Sequence, residues 1–188
     1  PPLRELSLGI DFGGNGSAHA VCCSAIGADG CVYVLKSSKK QAPDVALDAL
    51  SDFVYGFLSY IETGYGLKDQ NGENIPLYVR EANCDHIDVI VNSLNERGRY
   101  IFDKTYKPPL ADRVFLYSIL LAGGKLKFVE GESDCLVDEM QNLVFDEKST
   151  EAIPLDDGSM QIDTYDSFTY SLAGRWHYLT DLGGNANE

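Results

Sequence analysis

The hydrophobic period of the chain first changes near residue 43, and that change limits the folds open to it. Before it, residues 5–12, 17–27 and 31–38 are apolar, β-prone runs, and only the turn ADG (28–30) separates the last two. Runs joined so closely pair antiparallel, as a meander. After Pro43, the residues Val45, Leu47, Leu50, Phe53, Val54, Phe57, Leu58 and Ile61 recur at helical spacing. They predict a helix from an Asp44 N-cap to a stop at Gly64. The remaining chain alternates. A polar loop (66–76) leads to a strand over 76–82 and a helix over 85–97. A short strand at 100–102 precedes a helix that Pro108-Pro109 opens and Gly123-Gly124 closes. Then come a strand over 125–130, a helix over 134–145, a loop ending in DDGS (156–159) and a last helix over 160–179. A meander followed by strand–helix alternation predicts an α/β fold: a mixed β-sheet, antiparallel first and parallel after, with helices on both faces. The 188 residues fit one domain, 1–188, without internal repeats or low-complexity tracts.

Charge narrows the function. Lys and Arg number 15 against 29 acids, and the formal net charge is −14. A protein that holds nucleic acid alone usually presents a basic stripe, because phosphate neutralisation supplies most non-specific affinity. Here only Lys36, Lys39 and Lys40, and Arg97, Arg99, Lys104 and Lys107, form local basic groups. If nucleic acid is the substrate, binding strength must come from elsewhere, and the surplus acid is simple solvation or includes a cation site. The five cysteines (Cys22, Cys23, Cys31, Cys84, Cys135) show no CxxC spacing and read as buried thiols of a reducing compartment. The histidines His19, His86 and His177 lie too far apart for a metal-ligand spacing. His19 and His86 read as packed or exposed side chains, and Cys22-Cys23 as strand filling. No apolar stretch approaches the ~20 residues that span a bilayer, and PPLRELSLGID is not a signal peptide. The Pro1-Pro2 start reads as a fragment of a longer chain or a processed one.

In SLGIDFGGNGSAHAVCCSAIG (7–27), Asp11 ends the first apolar run, and Gly13, Gly14 and Gly16 follow it. A carboxylate at a strand end beside a close backbone turn suits two chemistries: a metal ion held against a phosphodiester, or a cradle for nucleotide phosphates. Other acids stand where the fold could gather them. Glu81 lies near the end of PLYVREA, and Asp163 and Asp166 share one face of the last helix at i and i+3. Mg²⁺ and Mn²⁺ take oxygen ligands, and two ions about 3.5–4 Å apart clamp the attacking and leaving oxygens of a phosphodiester. Taken singly, Asp11 is also a turn residue, Asp163 an acid favoured by the helix dipole, and Glu81 a solvent-facing strand residue. Together, in this element order, they read as a site.

The element order is the ribonuclease H-like one, which also underlies the sugar-kinase, heat-shock and actin group of ATPases. More specifically, LGIDFGGNGSAHA resembles the first motif of the nuclease domain of the large terminase subunit of tailed bacteriophages. PLYVREANCDHIDVIVNSL resembles its second-motif strand and following helix, and KPPLADRVFLYSILLAGGKLKFVEG the helix and strand ahead of the last acid. DDGSMQIDTYDSFTYSL resembles the closing pattern, and the similarity runs collinearly over nearly the whole chain. The resemblance implies an endonuclease that cuts concatemeric viral DNA during packaging, using two Mg²⁺ or Mn²⁺ ions. It implies Asp11 as the bridging metal ligand, Asp166 as the closing one and Glu81 as the second acid. Asp163, where relatives carry His or Asp, takes an accessory role. The second acid departs from the pattern, because the slot after Tyr78-Val79 is Arg80. A one-residue slip flips a strand side chain to the other face, so Glu81 serves only if the strand ends or bulges there; Asp85 is the reserve. The implied partners are double-stranded DNA, an N-terminal ATPase motor domain, the small terminase subunit and the portal, with no membrane. The implied setting is the cytoplasm of a bacterial host, with the gene carried by a phage or prophage.

Two other readings stay open. DFGGNGS also fits the phosphate turn of an actin-like or sugar-kinase-type ATPase at Asp11–Ser17, and DLGGN (181–185) imitates that group's second phosphate motif. The third is a non-catalytic scaffold of the same fold, which a measurement of divalent-cation binding separates from a nuclease.

Overall fold

The computed structural model describes residues 1–14, 16–42, 46–65, 67–68, 71–75, 78–143 and 160–184. The meander forms first, from β1 (Leu3–Asp11), β2 (Ala18–Gly27) and β3 (Val32–Gln41). Helix α1 (Leu47–Gly64) follows, then the two-residue strands β4 (Leu67–Lys68) and β5 (Asn74–Ile75), which pair inside the segment expected to be a plain loop. Strand β6 (Val79–Cys84), helix α2 (Asp88–Glu96) and strand β7 (Phe102–Lys104) come next. Helix α3 (Leu110–Ala122), strand β8 (Leu126–Phe128) and helix α4 (Asp134–Gln141) complete the alternation. The expected single helix over 160–179 is instead α5 (Asp163–Ser171), a 3₁₀ turn (Ala173–Arg175) and α6 (Trp176–Gly184). The expected Asp44 cap and the DDGS loop lie outside the described residues.

The main sheet has six strands in the order β7-β6-β1-β2-β3-β8. The β1–β2 and β2–β3 pairs are antiparallel, whereas β1–β6, β6–β7 and β3–β8 are parallel. Alternation along β1 then assigns two faces. Leu6, Leu8, Ile10 and Phe12 pack with Val21, Cys23 and Ala25 of the sheet against Leu50, Val54, Leu58 and Ile61 of α1 and Val91 and Leu94 of α2. On the other face, Cys22, Val32 and Val34 meet Leu116 and Tyr117 of α3, Leu136 of α4 and Tyr165 and Phe168 of α5. Burying each large apolar side chain is worth about 1.5–3 kcal/mol, so both layers hold the sheet in place. The result is a mixed sheet with helices on both faces, as expected.

Helix α5 departs from the usual amphipathic pattern, since every residue from Asp163 to Ser171 is buried. Its approach to β1 explains how. A Cβ on Gly9 would overlap the Ser167 carbonyl and the Ser171 amide, so the helix backbone rests almost directly on the strand. Ser171 donates to the Ser24 hydroxyl at 2.8 Å, and its polar group is satisfied in the contact. Any side chain at position 9 would lift α5 from the sheet, together with the acids it carries.

Candidate active site

The parallel pairing of β1 with β6 sets Ile10 opposite Cys84, and the Asp85 amide donates to the Ile10 carbonyl at 3.3 Å. Asp11, the last residue of β1, and Asp85, the residue after β6, therefore stand at the same end of two adjacent strands. Helix α5 runs antiparallel to β1 above them, and its first turn brings Asp163 and Asp166 over that end. Asp11, Asp163 and Asp166 are each only 8% exposed. Burial first, then the charges of Asp166, Asp163 and Asp85, push the Asp11 carboxyl up to about 8, opposed by Lys107. Four carboxylates thus converge, and the positive end of α5 faces them.

Neighbouring residues hold these acids in place. Lys107 binds one oxygen of Asp166, and the buried Arg113 binds the other at 2.5 Å. Ser17, just past the glycine turn, donates to Asp163 and ties that turn to α5. Tyr170, one turn further along α5, hydrogen-bonds Asp85; burial and the surrounding acids hold its phenol well above its ordinary range. Glu139 of α4 accepts the Tyr165 amide at 2.8 Å and pairs with Lys39 at 2.7 Å, which fastens the first turn of α5 to β3. Of the basic positions, the sequence singled out Lys107 only as one of a group, and it did not single out Arg113 or Tyr170 as site residues. A signal for Arg113 existed: it is a cation on the buried stripe of α3 that also contains Leu110, Tyr117 and Leu120.

The structure places Glu81 away from Asp11. The strand does bulge where required: Leu6 pairs with Val79 and Ser7 with Glu81, so Arg80 is the extra residue. That bulge puts Glu81 on the face shared by Ser7, Gly9 and Asp11. It is the wrong end of that face, because four residues of strand, about 13 Å, separate Ser7 from Asp11. There Glu81 meets Arg175 at 3.4 Å, and a Cβ on Gly174 would collide with its carboxylate. Arg175 also bonds Glu5 through Nε at 2.6 Å and the Ser7 hydroxyl at 3.0 Å. This polar clamp is what breaks the last helix, since the chain must turn at Ala173–Arg175 to dock on the sheet. The acid beside Asp11 is Asp85.

The remaining candidates are placed as follows. His19 is buried with Nδ1 unpartnered, and burial lowers its pKa. His86 and His177 are exposed. Cys22, Cys23, Cys31 and Cys84 are buried thiols and Cys135 is partly exposed. The described part of DLGGN, residues 181–184, lies in α6 rather than between strands. No helix among the described residues is long and apolar enough to cross a membrane.

Among the described residues, no three His, Cys, Asp or Glu side chains are arranged as they stand to hold a metal ion. The donor chemistry still suits one. The converging groups offer carboxylate oxygens, the set that hard divalent cations take, and burial, with the charges of the neighbouring acids after it, disfavours the ionised form of Asp11 when no cation is near. Lys107 and Arg113 occupy the oxygens of Asp166, which accounts for the unready arrangement.

A mixed sheet in this order with helices on both faces is a ribonuclease H-like fold. Solved structures agree. The large terminase nuclease domain of bacteriophage SPP1, a structure with bound Mn, is 16% identical over 90% of this chain and 85% of that one, with a TM-score of 0.60. The large terminase nuclease of a thermophilic phage is 12% identical over 89% of this chain and 81% of that one, TM-score 0.57. The bacteriophage HK97 large terminase is 11% identical over 93% of this chain, TM-score 0.60, and this chain spans 40% of its length. The fold is that of phage large-terminase nuclease domains. No protein-family model matches the sequence, and no curated protein matches it significantly.

Proposed function

We propose that this chain is a metal-dependent DNA endonuclease domain of a terminase large subunit, one domain of a longer protein that cuts concatemeric viral DNA during packaging. One observation carries the reading: Asp11, Asp85, Asp163 and Asp166 gather at one end of a sheet whose fold matches terminase nuclease domains. Asp11, Asp85 and Asp166 would hold a pair of Mg²⁺ or Mn²⁺ ions, with Asp163 accessory. Such ions, when bound, activate a water and neutralise charge on the leaving oxygen of a phosphodiester. The chain's own residues prepare the site. Burial keeps Asp11 from being fully solvated, Arg113 fixes the orientation of Asp166, Tyr170 fixes Asp85, and Ser17 fixes Asp163. The acids, once unprotonated, repel the phosphate backbone unless a cation intervenes, which makes cutting conditional on metal. The test is nicking of supercoiled plasmid by the purified domain. Cutting is expected with Mn²⁺ or Mg²⁺ and none with EDTA; metal-independent cutting, or none under any cation, overturns the reading. The ATPase alternative loses support because the described residues of its second phosphate motif, 181–184, lie in a helix.

DNA affinity follows from how the basic residues are spent. Arg97 pairs with Asp52 at 2.6 Å, Lys104 with Asp88 at 2.6 Å and Lys39 with Glu139 at 2.7 Å. Lys36 pairs with Glu132, Arg99 with Glu62 and Lys107 with Asp166. Of the basic groups noted in the sequence, these six side chains already neutralise acids of the same chain, so few counterions can be released on DNA. The isolated domain is expected to bind a short duplex at micromolar or weaker affinity, without sequence preference. Fluorescence anisotropy at physiological salt, with Ca²⁺ to suppress cutting, measures it; nanomolar selective binding contradicts it. A motor domain on the same chain, the small subunit or the portal would then supply the grip, by raising the local DNA concentration.

A further inference from the structure

The cluster holds two internal cations of different kinds. Arg113 is 4% exposed and is also bonded to Thr169 at 3.4 Å, with its guanidinium 5.3 Å from the centre of the Tyr165 ring. It is built into the core between α3 and α5. Lys107 stands in the connection between β7 and α3, just before Pro108-Pro109, and its side chain is about one-third exposed. Its ammonium lies on Asp166 and 5.8 Å from the centre of the Tyr170 ring, within the field of Asp11. One cation is buried and the other reaches solvent.

We infer that Lys107 is a displaceable internal counter-ion that occupies the cation position of the carboxylate cluster and must leave before a divalent metal binds. This inference rests on the metal-dependent reading of the site. An ammonium is a compact point charge on a flexible stem, and it competes for the same oxygens as a metal ion. While it stays, the metal-free cluster is partly neutralised and the carboxylates remain together. When it leaves, the oxygen of Asp166 that it covered becomes a ligand. Lys107 therefore lowers divalent affinity by the free energy of its own contact, and it makes the site respond to metal concentration rather than fill permanently. The position of Lys107 on a connecting loop, beside exposed Tyr106, allows this movement without disturbing α3 or β7.

The experiment is calorimetric titration of Mn²⁺, without DNA, into the wild-type domain, Lys107→Met and Lys107→Arg. Methionine keeps the stem and removes the charge, whereas arginine keeps the charge. Lys107→Met is expected to bind Mn²⁺ about tenfold more tightly and to show a larger rise in melting temperature on adding Mn²⁺. Lys107→Arg is expected to stay near the wild-type affinity. Equal or weaker binding by Lys107→Met, with clear binding by wild type, overturns the counter-ion role and leaves the nuclease reading standing. Tighter binding by both variants also overturns it, because charge would not be the cause. Absence of Mn²⁺ binding by all three proteins overturns this inference together with the metal-dependent reading.

Discussion

Asp11→Asn is expected to reduce plasmid nicking by about a thousandfold or more, because it removes the carboxylate at the centre of the cluster. The same substitution is expected to stabilise the metal-free protein at pH 8. Burial and the neighbouring acids raise the Asp11 carboxyl to about 8, from an ordinary value of 3.8. Between those values the folded state keeps a proton that the unfolded chain releases. Stability from this group is therefore fully present below about pH 4 and is lost as pH rises through about 8. The slope reaches at most about 1.4 kcal/mol per pH unit. Asparagine stays neutral throughout, so the loss disappears. Urea unfolding in EDTA at pH 5 and pH 8 measures it: wild type should weaken by about 2–4 kcal/mol relative to the variant over that interval. Mn²⁺ should restore wild-type stability, as any ligand of the folded state does, and leave Asp11→Asn nearly unmoved. Full cutting by a clean Asp11→Asn preparation would remove Asp11 from the site. A parallel pH profile would show that its charge is already compensated.

The second large effect separates the acid of β6 from the one that follows it. Asp85→Ala is expected to lose nicking by about a hundredfold or more while remaining folded, since its partly exposed side chain stands beside Asp11 at the same end of the sheet. Glu81→Ala is expected to keep nearly full nicking and to lose about 1 kcal/mol of stability. It deprives Arg175 of one of two carboxylate partners and empties the contact with Gly174. Nicking assays and urea melts on the two single variants decide the matter. Loss of cutting in Glu81→Ala with retention in Asp85→Ala would return the site to the middle of the strand.

Three features are legible in the order of residues, each for a local reason. Asp11 follows an apolar run into glycines, and a run of that kind ends in a strand end wherever it folds. Asp163 and Asp166 share a helical face because three residues make nearly one turn. The switch from β-prone runs to 3.6-residue spacing near Pro43 announces a meander and then alternation, and the sheet order follows the usual connection rules.

The kinds of elements, their order, and which acids end strands or open helices all depend on neighbours within one or two turns of chain, so the sequence carries them openly. Which acids meet is a matter of long-range contacts. The bulge at Arg80 and the pairing of Ser7 with Glu81 join strands some seventy residues apart. Their register is set by the packing of α5 on Gly9 and of Gly174 on Glu81, and no local pattern encodes it. The same holds for Lys107 and Arg113, which reach Asp166 from a different strand–helix unit. It holds also for the break in the last helix, where docking on the sheet outweighs helical propensity. Local preference selects the parts; burial over the whole chain selects the contacts, since only the assembled core can bring Asp11, Asp163, Asp166 and Arg113 together out of water.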